Sequence, residues 1–197
     1  MHDLKELSDL ATRNSGIICT GAAVQAGISS KKLARLALRG DLLRIAHGQY
    51  ILPDALEDEM LSLAYRSKYI IFSHESALFL HGISDRTPFE HTVTVPSNVK
   101  LSRSFDGLCK VYYVKPELYK LGLVAKNTQM GNPIPTYDLE RTVCDILRSR
   151  NRMSEETVRA ALKAYAVRKD KDLPKLEQYA VAFRIVSIAR HYLGVLL

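Results

Sequence analysis

Residues 20–38 read Thr-Gly-Ala-Ala-Val-Gln-Ala-Gly-Ile-Ser-Ser-Lys-Lys-Leu-Ala-Arg-Leu-Ala-Leu. This stretch decides the fold of the N-terminal part. Thr20 is expected to cap a short helix over 20–26. Gly27 then breaks it, since a residue without Cβ takes the positive φ of a tight turn at no steric penalty. Ser29 or Ser30 caps a second helix, whose Leu33, Leu36 and Ala37 form an inner face, with Gly40 just past its end. Ala23 is small where the two helices approach. Ser29, Ser30, Lys31, Lys32 and Arg35 are left on the outward and N-terminal part of the second helix, with Arg39 at its far end. That is the spacing of a helix-turn-helix, and this end enters the major groove when such a unit docks.

Upstream, Leu7, Leu10 and Ala11 keep helical spacing until Asn14-Ser15-Gly16 stops them, and a short apolar run occupies 17–19. Downstream, 41–46, then His47-Gly48, then 49–52 read as strand, tight turn, strand. The hairpin is positioned as a wing, with Arg44, His47 and Gln49 at or near its tip beside the phosphate backbone or minor groove. Lys31, Lys32 and Arg44 suit phosphates, because lysine neutralises charge without bidentate geometry. Ser29, Ser30 and Arg35 meet base edges, Arg35 being the residue type that reads guanine. The competing reading is a structural helical hairpin whose bases only solvate a surface. The base excess, the serine cap and the following hairpin favour the winged helix.

The whole chain has 197 residues, 47% hydrophobic and 25% charged, with 10 glycines and 7 prolines. Those proportions exclude disordered, collagen-like and low-complexity classes, and the length accommodates one large domain or two small ones. No apolar run reaches the roughly 18 residues of a membrane span, and the N-terminus lacks the apolar core of a secretory signal. Cys19, Cys109 and Cys144 have neither CxxC nor zinc spacing, so buried free thiols in a cytoplasmic protein are expected. The net charge of +7 is uneven: +3 over 1–52, −3 over 53–100, +3 over 101–150 and +4 over 151–197. A basic balance favours anionic partners. The acid-rich change at Pro53-Asp54 marks a domain boundary, giving 1–52 and 53–197.

In the second domain, 57–67 reads as helix, 69–73 as a β-rich run, 75–80 as helix, and 91–96 and 110–114 as strands. Two short strands are expected within 118–135. A helix starting at Thr136 or Asp138 follows to 147, then helices over 154–168, 172–182 and 184–193. The fold class is α+β: a winged helix-turn-helix, then a mixed α/β domain with a helical end.

Three clusters stand out after Pro53: Ser73-His74-Glu75-Ser76-Ala77-Leu78-Phe79-Leu80-His81-Gly82, His91-Thr92-Val93-Thr94-Val95-Pro96, and Tyr137-Asp138-Leu139-Glu140-Arg141-Thr142-Val143-Cys144-Asp145. Behind the N-terminal winged helix, and with Gly48-Gln49-Tyr50 closing the wing, their order and spacing resemble the AbiEi family of abortive-infection antitoxins. The resemblance implies a type IV antitoxin for phage defence. Its first domain would repress its own operon by cooperative binding to promoter inverted repeats. Its second domain would counteract a nucleotidyltransferase-like toxin without forming a stable complex. The free protein is expected to be a monomer that pairs on DNA, with no membrane partner and no cofactor.

The candidate residues of the second domain are His74, His81, Asp138, Glu140, Arg141 and Asp145. His74 and His81 are seven apart, not four as in HExxH, so a structural role is favoured over a metal site. The acids at 138–145 complement a helix dipole, and Arg141 with Asp145 is an i,i+4 pair. An acidic metal or nucleotide site is the enzymatic alternative. P-loop, GxGxxG and serine-nucleophile motifs do not occur, and the reading is of a non-enzyme. The basic residues Arg159, Lys163, Arg168, Lys169, Lys171 and Lys175 form either a solvated surface or a second face for nucleic acid or nucleotide. The functional alternative to an antitoxin is a winged-helix regulator whose second domain senses a small ligand.

Overall fold

The computed structural model describes residues 2–84 and 87–194, with side chains from residue 5 onward. The chain forms two compact units, Met1–Arg66 and Ser67–Leu197. The first comprises α1 (His2–Arg13), β1 (Ile18–Cys19), α2 (Thr20–Gln25), α3 (Ser30–Leu38), β2 (Leu43–Ala46), β3 (Gln49–Ile51) and α4 (Glu59–Arg66). Its sheet runs β1-β3-β2, with β3 antiparallel to both neighbours. A helix-turn-helix is thus followed by a hairpin.

The turn closes as its glycine dictates. Gly27 sits at φ +86°, its N–H donates to the Val24 carbonyl (3.0 Å), and the Ile28 N–H donates to the Ala23 carbonyl (2.8 Å). These are the paired bonds of a Schellman end, with the following apolar residue turned inward. Ile28 joins Leu7, Ala11, Ile18, Ala23, Leu33, Leu36, Leu42 and Tyr50 in one buried core. Each large aliphatic side chain there contributes about 1.5–3 kcal/mol. Because Leu33 and Leu36 point into that core, helical geometry turns Lys31, Ala34, Arg35 and Leu38 outward, and all four are exposed.

One local expectation is corrected and one alternative is resolved. Cys19, not Thr20, stands at the N-cap of α2. The Thr20 N–H and hydroxyl both donate to the Gly48 carbonyl (2.8 and 3.2 Å), so this threonine ties the hairpin turn to the start of α2. Of the two serines before α3 it is Ser29 that caps, accepting from the Lys32 N–H at 3.3 Å. The first compact unit also continues past residue 52 to Arg66. The Gln49 amide accepts from the Ser62 hydroxyl (2.7 Å) and donates to the Ser62 carbonyl (3.0 Å), binding α4 to the strand.

The second unit contains β4 (Ile71–Phe72), α5 (His74–Leu80), β5 (His91–Pro96), β6 (Cys109–Val114), α6 (Pro116–Tyr119), β7 (Leu123–Asn127), β8 (Pro133–Tyr137), α7 (Leu139–Ser149), α8 (Glu155–Ala166), α9 (Leu173–Ala182) and α10 (Val186–Leu193). Its mixed sheet runs β6-β5-β4-β8-β7. The pairs β5/β6 and β4/β8 are parallel, and β4/β5 and β7/β8 are antiparallel. Helix α7 is buried along nearly its whole length, and its Val143, Cys144, Ile146 and Leu147 share a core with apolar residues of α8, α9 and α10. Asp138, Ser154 and Asp172 cap α7, α8 and α9 through their side chains. Helix α6 was not foreseen; Pro116 at its first position removes an N–H that would have had no partner there. Among the described residues no helix is long and apolar enough to cross a membrane.

Candidate nucleic-acid interface

The outward face of α3 is built from residues the sequence singles out. Ser29 fixes the start of the helix, and Ser30, Lys31 and Arg35 are exposed on it, with Lys32 half-buried beside them. Lys31 and Arg35 are one turn apart, and among the described residues no carboxylate pairs with either. Arg39 differs, since its Nε lies 3.1 Å from the Asp41 carboxylate, which offsets its charge at the end of the helix. Leu38 is 90% exposed on the same face as Lys31 and Arg35, and Val24 on α2 is half exposed. Neither was named from the sequence, although the periodicity that sends Leu33 and Leu36 inward already sends residue 38 outward.

The hairpin adds a second cationic point. Arg44 on β2 is exposed; its Nε donates to the Ala46 carbonyl (3.3 Å) and its terminal nitrogen to Nδ1 of His47 (3.3 Å). Arg44 and His47 are therefore held together at the tip. Gln49 is not available there. It is 3% exposed, and its amide is committed to Ser62. The assignment of Gln49 as a contact residue is corrected to that of a brace.

The second unit gathers its polar residues in the interior. Arg141 is fully buried; its Nε donates to Asp145 (2.9 Å), and one terminal nitrogen donates to the carbonyls of Leu118 (2.8 Å) and Leu121. Its guanidinium carbon lies 3.9 Å from the Tyr137 ring centroid and 4.4 Å from that of Phe183. The other Asp145 oxygen accepts from Arg148 (3.2 Å). Burial pushes the Asp145 carboxyl up, and the two arginines oppose that shift. Asp138 caps α7 by accepting from the Arg141 N–H (2.8 Å), while its other oxygen accepts from the Tyr179 hydroxyl (2.9 Å) and pairs with Lys175 (2.7 Å). Glu140, 4% exposed, accepts from the Asp172 N–H (3.0 Å). Gly122, at φ +77°, packs so tightly here that an added Cβ would lie 2.6 Å from Cβ of Arg141.

His74 is equally enclosed. It is 2% exposed at φ +48°, where a non-glycine backbone is strained. Ser73 and Ser149 hydroxyls bond its two ring nitrogens (2.9 and 3.0 Å), and the ring stacks on Tyr112 at 3.5 Å. Burial, reinforced by Arg152 and Arg148, holds its pKa well below the usual value. His81 is half-buried and donates from Nε2 to the Tyr137 carbonyl (2.8 Å); burial lowers its pKa, and that bond opposes the shift. The six candidates of the second domain therefore join α5, β8, α7 and α9 from within, and they do not converge on an open site. Among the described residues no three or more His, Cys, Asp or Glu side chains are placed to hold a metal ion.

The basic residues of the helical end divide. Arg168 pairs with Asp170 (2.7 Å), Lys171 donates to the Ala166 and Arg168 carbonyls (2.8 and 3.1 Å), and Lys175 pairs with Asp138. Arg159 and Lys163 have no such partner among the described residues.

An exposed basic helix after a glycine turn, with a hairpin behind it, is the outline of a helix-turn-helix unit. Residues 5–53 match the family model described as transcriptional regulator, AbiEi antitoxin. The match covers the whole of that outline and ends before the second-domain clusters at 73–82, 91–96 and 137–145. The fold of the chain is similar to the crystal structure of the RV2827C protein from Mycobacterium tuberculosis. That likeness has a TM-score of 0.67 at 14% identity and covers 95% of this chain and 79% of that one. No curated protein sequence matches the chain.

Proposed function

We propose that this protein is an antitoxin that represses its own operon by binding inverted repeats in the promoter as a pair of copies, and that counteracts a nucleotidyltransferase-like toxin without a stable complex. DNA binding is assigned to the first compact unit, which extends beyond residue 52 to Arg66, and neutralisation to the second. The observation that carries the DNA-binding half is the outward face of α3, where Lys31 and Arg35 stand exposed without a carboxylate partner. Nine helical residues span about 13 Å, comparable to the roughly 12 Å width of the major groove. In this reading Lys31, Lys32 and Arg44 release counterions from phosphates. Ser30 and Arg35 meet base edges, Arg35 offering the fork that pairs with guanine O6 and N7. Ser29 stays with the helix backbone, and Arg39 and His47 flank the contact. The match of residues 5–53 to a transcriptional-regulator family model supports this, and the enclosure of the second unit's acids argues for a scaffold instead of a catalytic centre.

The test is binding of promoter DNA as a function of salt. Each phosphate contact contributes about −0.9 to the slope of log K against log salt, so Lys31→Ala with Lys32→Ala should flatten it by about 1.8 per bound copy. An unchanged slope in a folded variant overturns the assignment. For the second unit, a chain lacking residues 1–66 should lose repression and retain neutralisation.

A further inference from the structure

We infer that the second unit holds a binding pocket for a phosphorylated nucleoside between the turn at 150–152, α8 and α10. The cavity measures about 550 Å³, within the range of small-molecule sites. Its floor is apolar, formed by Val158 and Leu162, both at least nine-tenths buried. Its wall carries the His191 and Tyr192 rings, edge to face with centroids 5.2 Å apart. Arg150, Arg159 and Lys163 line it too, against a single acid, Glu155.

Three features select the ligand. Arg159 and Lys163 are one helical turn apart, about 5–6 Å between Cβ atoms, a spacing that suits adjacent phosphate oxygens. Their charges are unanswered, whereas Arg168, Lys171 and Lys175 close by in sequence are engaged by carboxylates or helix-end carbonyls. Arg150, tethered through one nitrogen to the Leu147 carbonyl (3.0 Å), adds a further planar donor group. A bare anion has no use for the apolar floor or for Tyr192, which is 37% exposed. A base attached to the phosphate does, because it stacks on an aromatic face irrespective of its identity. The ligand can arrive free or as the terminal nucleotide of a strand. This pocket is independent of the α3 interface.

The experiment is calorimetric titration of the full chain carrying Lys31→Ala, Lys32→Ala and Arg44→Ala, which removes the first unit's proposed phosphate contacts. The probes are ATP, a 5′-phosphorylated tetrauridylate and inorganic triphosphate. ATP or the tetranucleotide should bind saturably, about tenfold more weakly after Arg159→Glu with Lys163→Glu, and more weakly after Tyr192→Ala. Arg159→Gln with Lys163→Gln serves if the charge reversal lowers the melting temperature. Binding of ATP marks a free nucleotide, and binding of the tetranucleotide alone marks a strand end. No saturable binding of either at millimolar concentration, affinity indifferent to the charge change, or triphosphate binding as tightly as ATP would each overturn the inference.

Discussion

Replacing Arg141 with methionine keeps an apolar stem reaching to about where Nε stood and removes the guanidinium. Asp145 then retains only Arg148, at 3.2 Å and partly open to solvent, while the Leu118 and Leu121 carbonyls lose their shared donor. Removing one partner of a buried ion pair costs roughly 3–5 kcal/mol. The two carbonyls are only part-buried, so water recovers much of their loss, and about 4 kcal/mol is expected for the second unit. That approaches the whole stability of a small domain, typically about 5–15 kcal/mol. Adding Asp145→Leu removes the stranded carboxylate, so the double variant should regain more than half of the loss. Urea unfolding followed by circular dichroism at 222 nm, with the slope of each transition compared, reads the effect. A loss below about 1 kcal/mol for Arg141→Met, or a double variant as unstable as the two single losses added, would refute the reasoning that Arg141 offsets the buried Asp145 charge.

Gln49→Ala leaves the Ser62 hydroxyl and carbonyl without their partner and should destabilise the first unit by about 1–3 kcal/mol. DNA affinity of the protein that remains folded should not change; a selective loss of affinity without a loss of stability would restore Gln49 as a contact residue. His74 gives a pH signature. Its folded pKa lies well below the usual 6.5, so below that pH the unfolded chain takes up a proton that the native state refuses. Stability is full above about pH 7 and falls by up to about 1.4 kcal/mol per unit as pH drops through 6.5 toward the folded value. His74→Gln should flatten denaturation midpoints between pH 7 and 5 relative to the parent chain, with His81 supplying part of the remaining slope; parallel curves would contradict the enclosure of His74.

What could be read in advance was local. The Gly27 turn, the Ser29 cap and the inward Leu33 and Leu36 depend on neighbours a few residues away, and they alone fix which side chains α3 turns outward. Leu38 was equally legible, because the same periodicity exposes it. Gln49 was not. Its partner Ser62 lies 13 residues on, in a helix whose acidic flank places it by sequence in the other domain, so a polar residue near a turn reads as an exposed one. The same limit applies to Asp138 and Glu140. Their cap and dipole positions were visible, but Tyr179, Lys175 and the Asp172 N–H reach them from α9 and its start, more than thirty positions away. The clusters around His74 and Arg141 mark the buried polar frame of the second unit, and a run of polar residues of that kind reads like a site until burial is known.

Methylation of promoter guanines by dimethyl sulfate, with and without bound protein, probes how α3 meets DNA, since guanine N7 faces the major groove. Bound parent protein should protect guanines in each half of the inverted repeat, and Arg35→Ala, at concentrations restoring full occupancy, should lose protection at one guanine per half. Protection confined to adenine N3 in the minor groove, or a guanine pattern identical in Arg35→Ala, would contradict it.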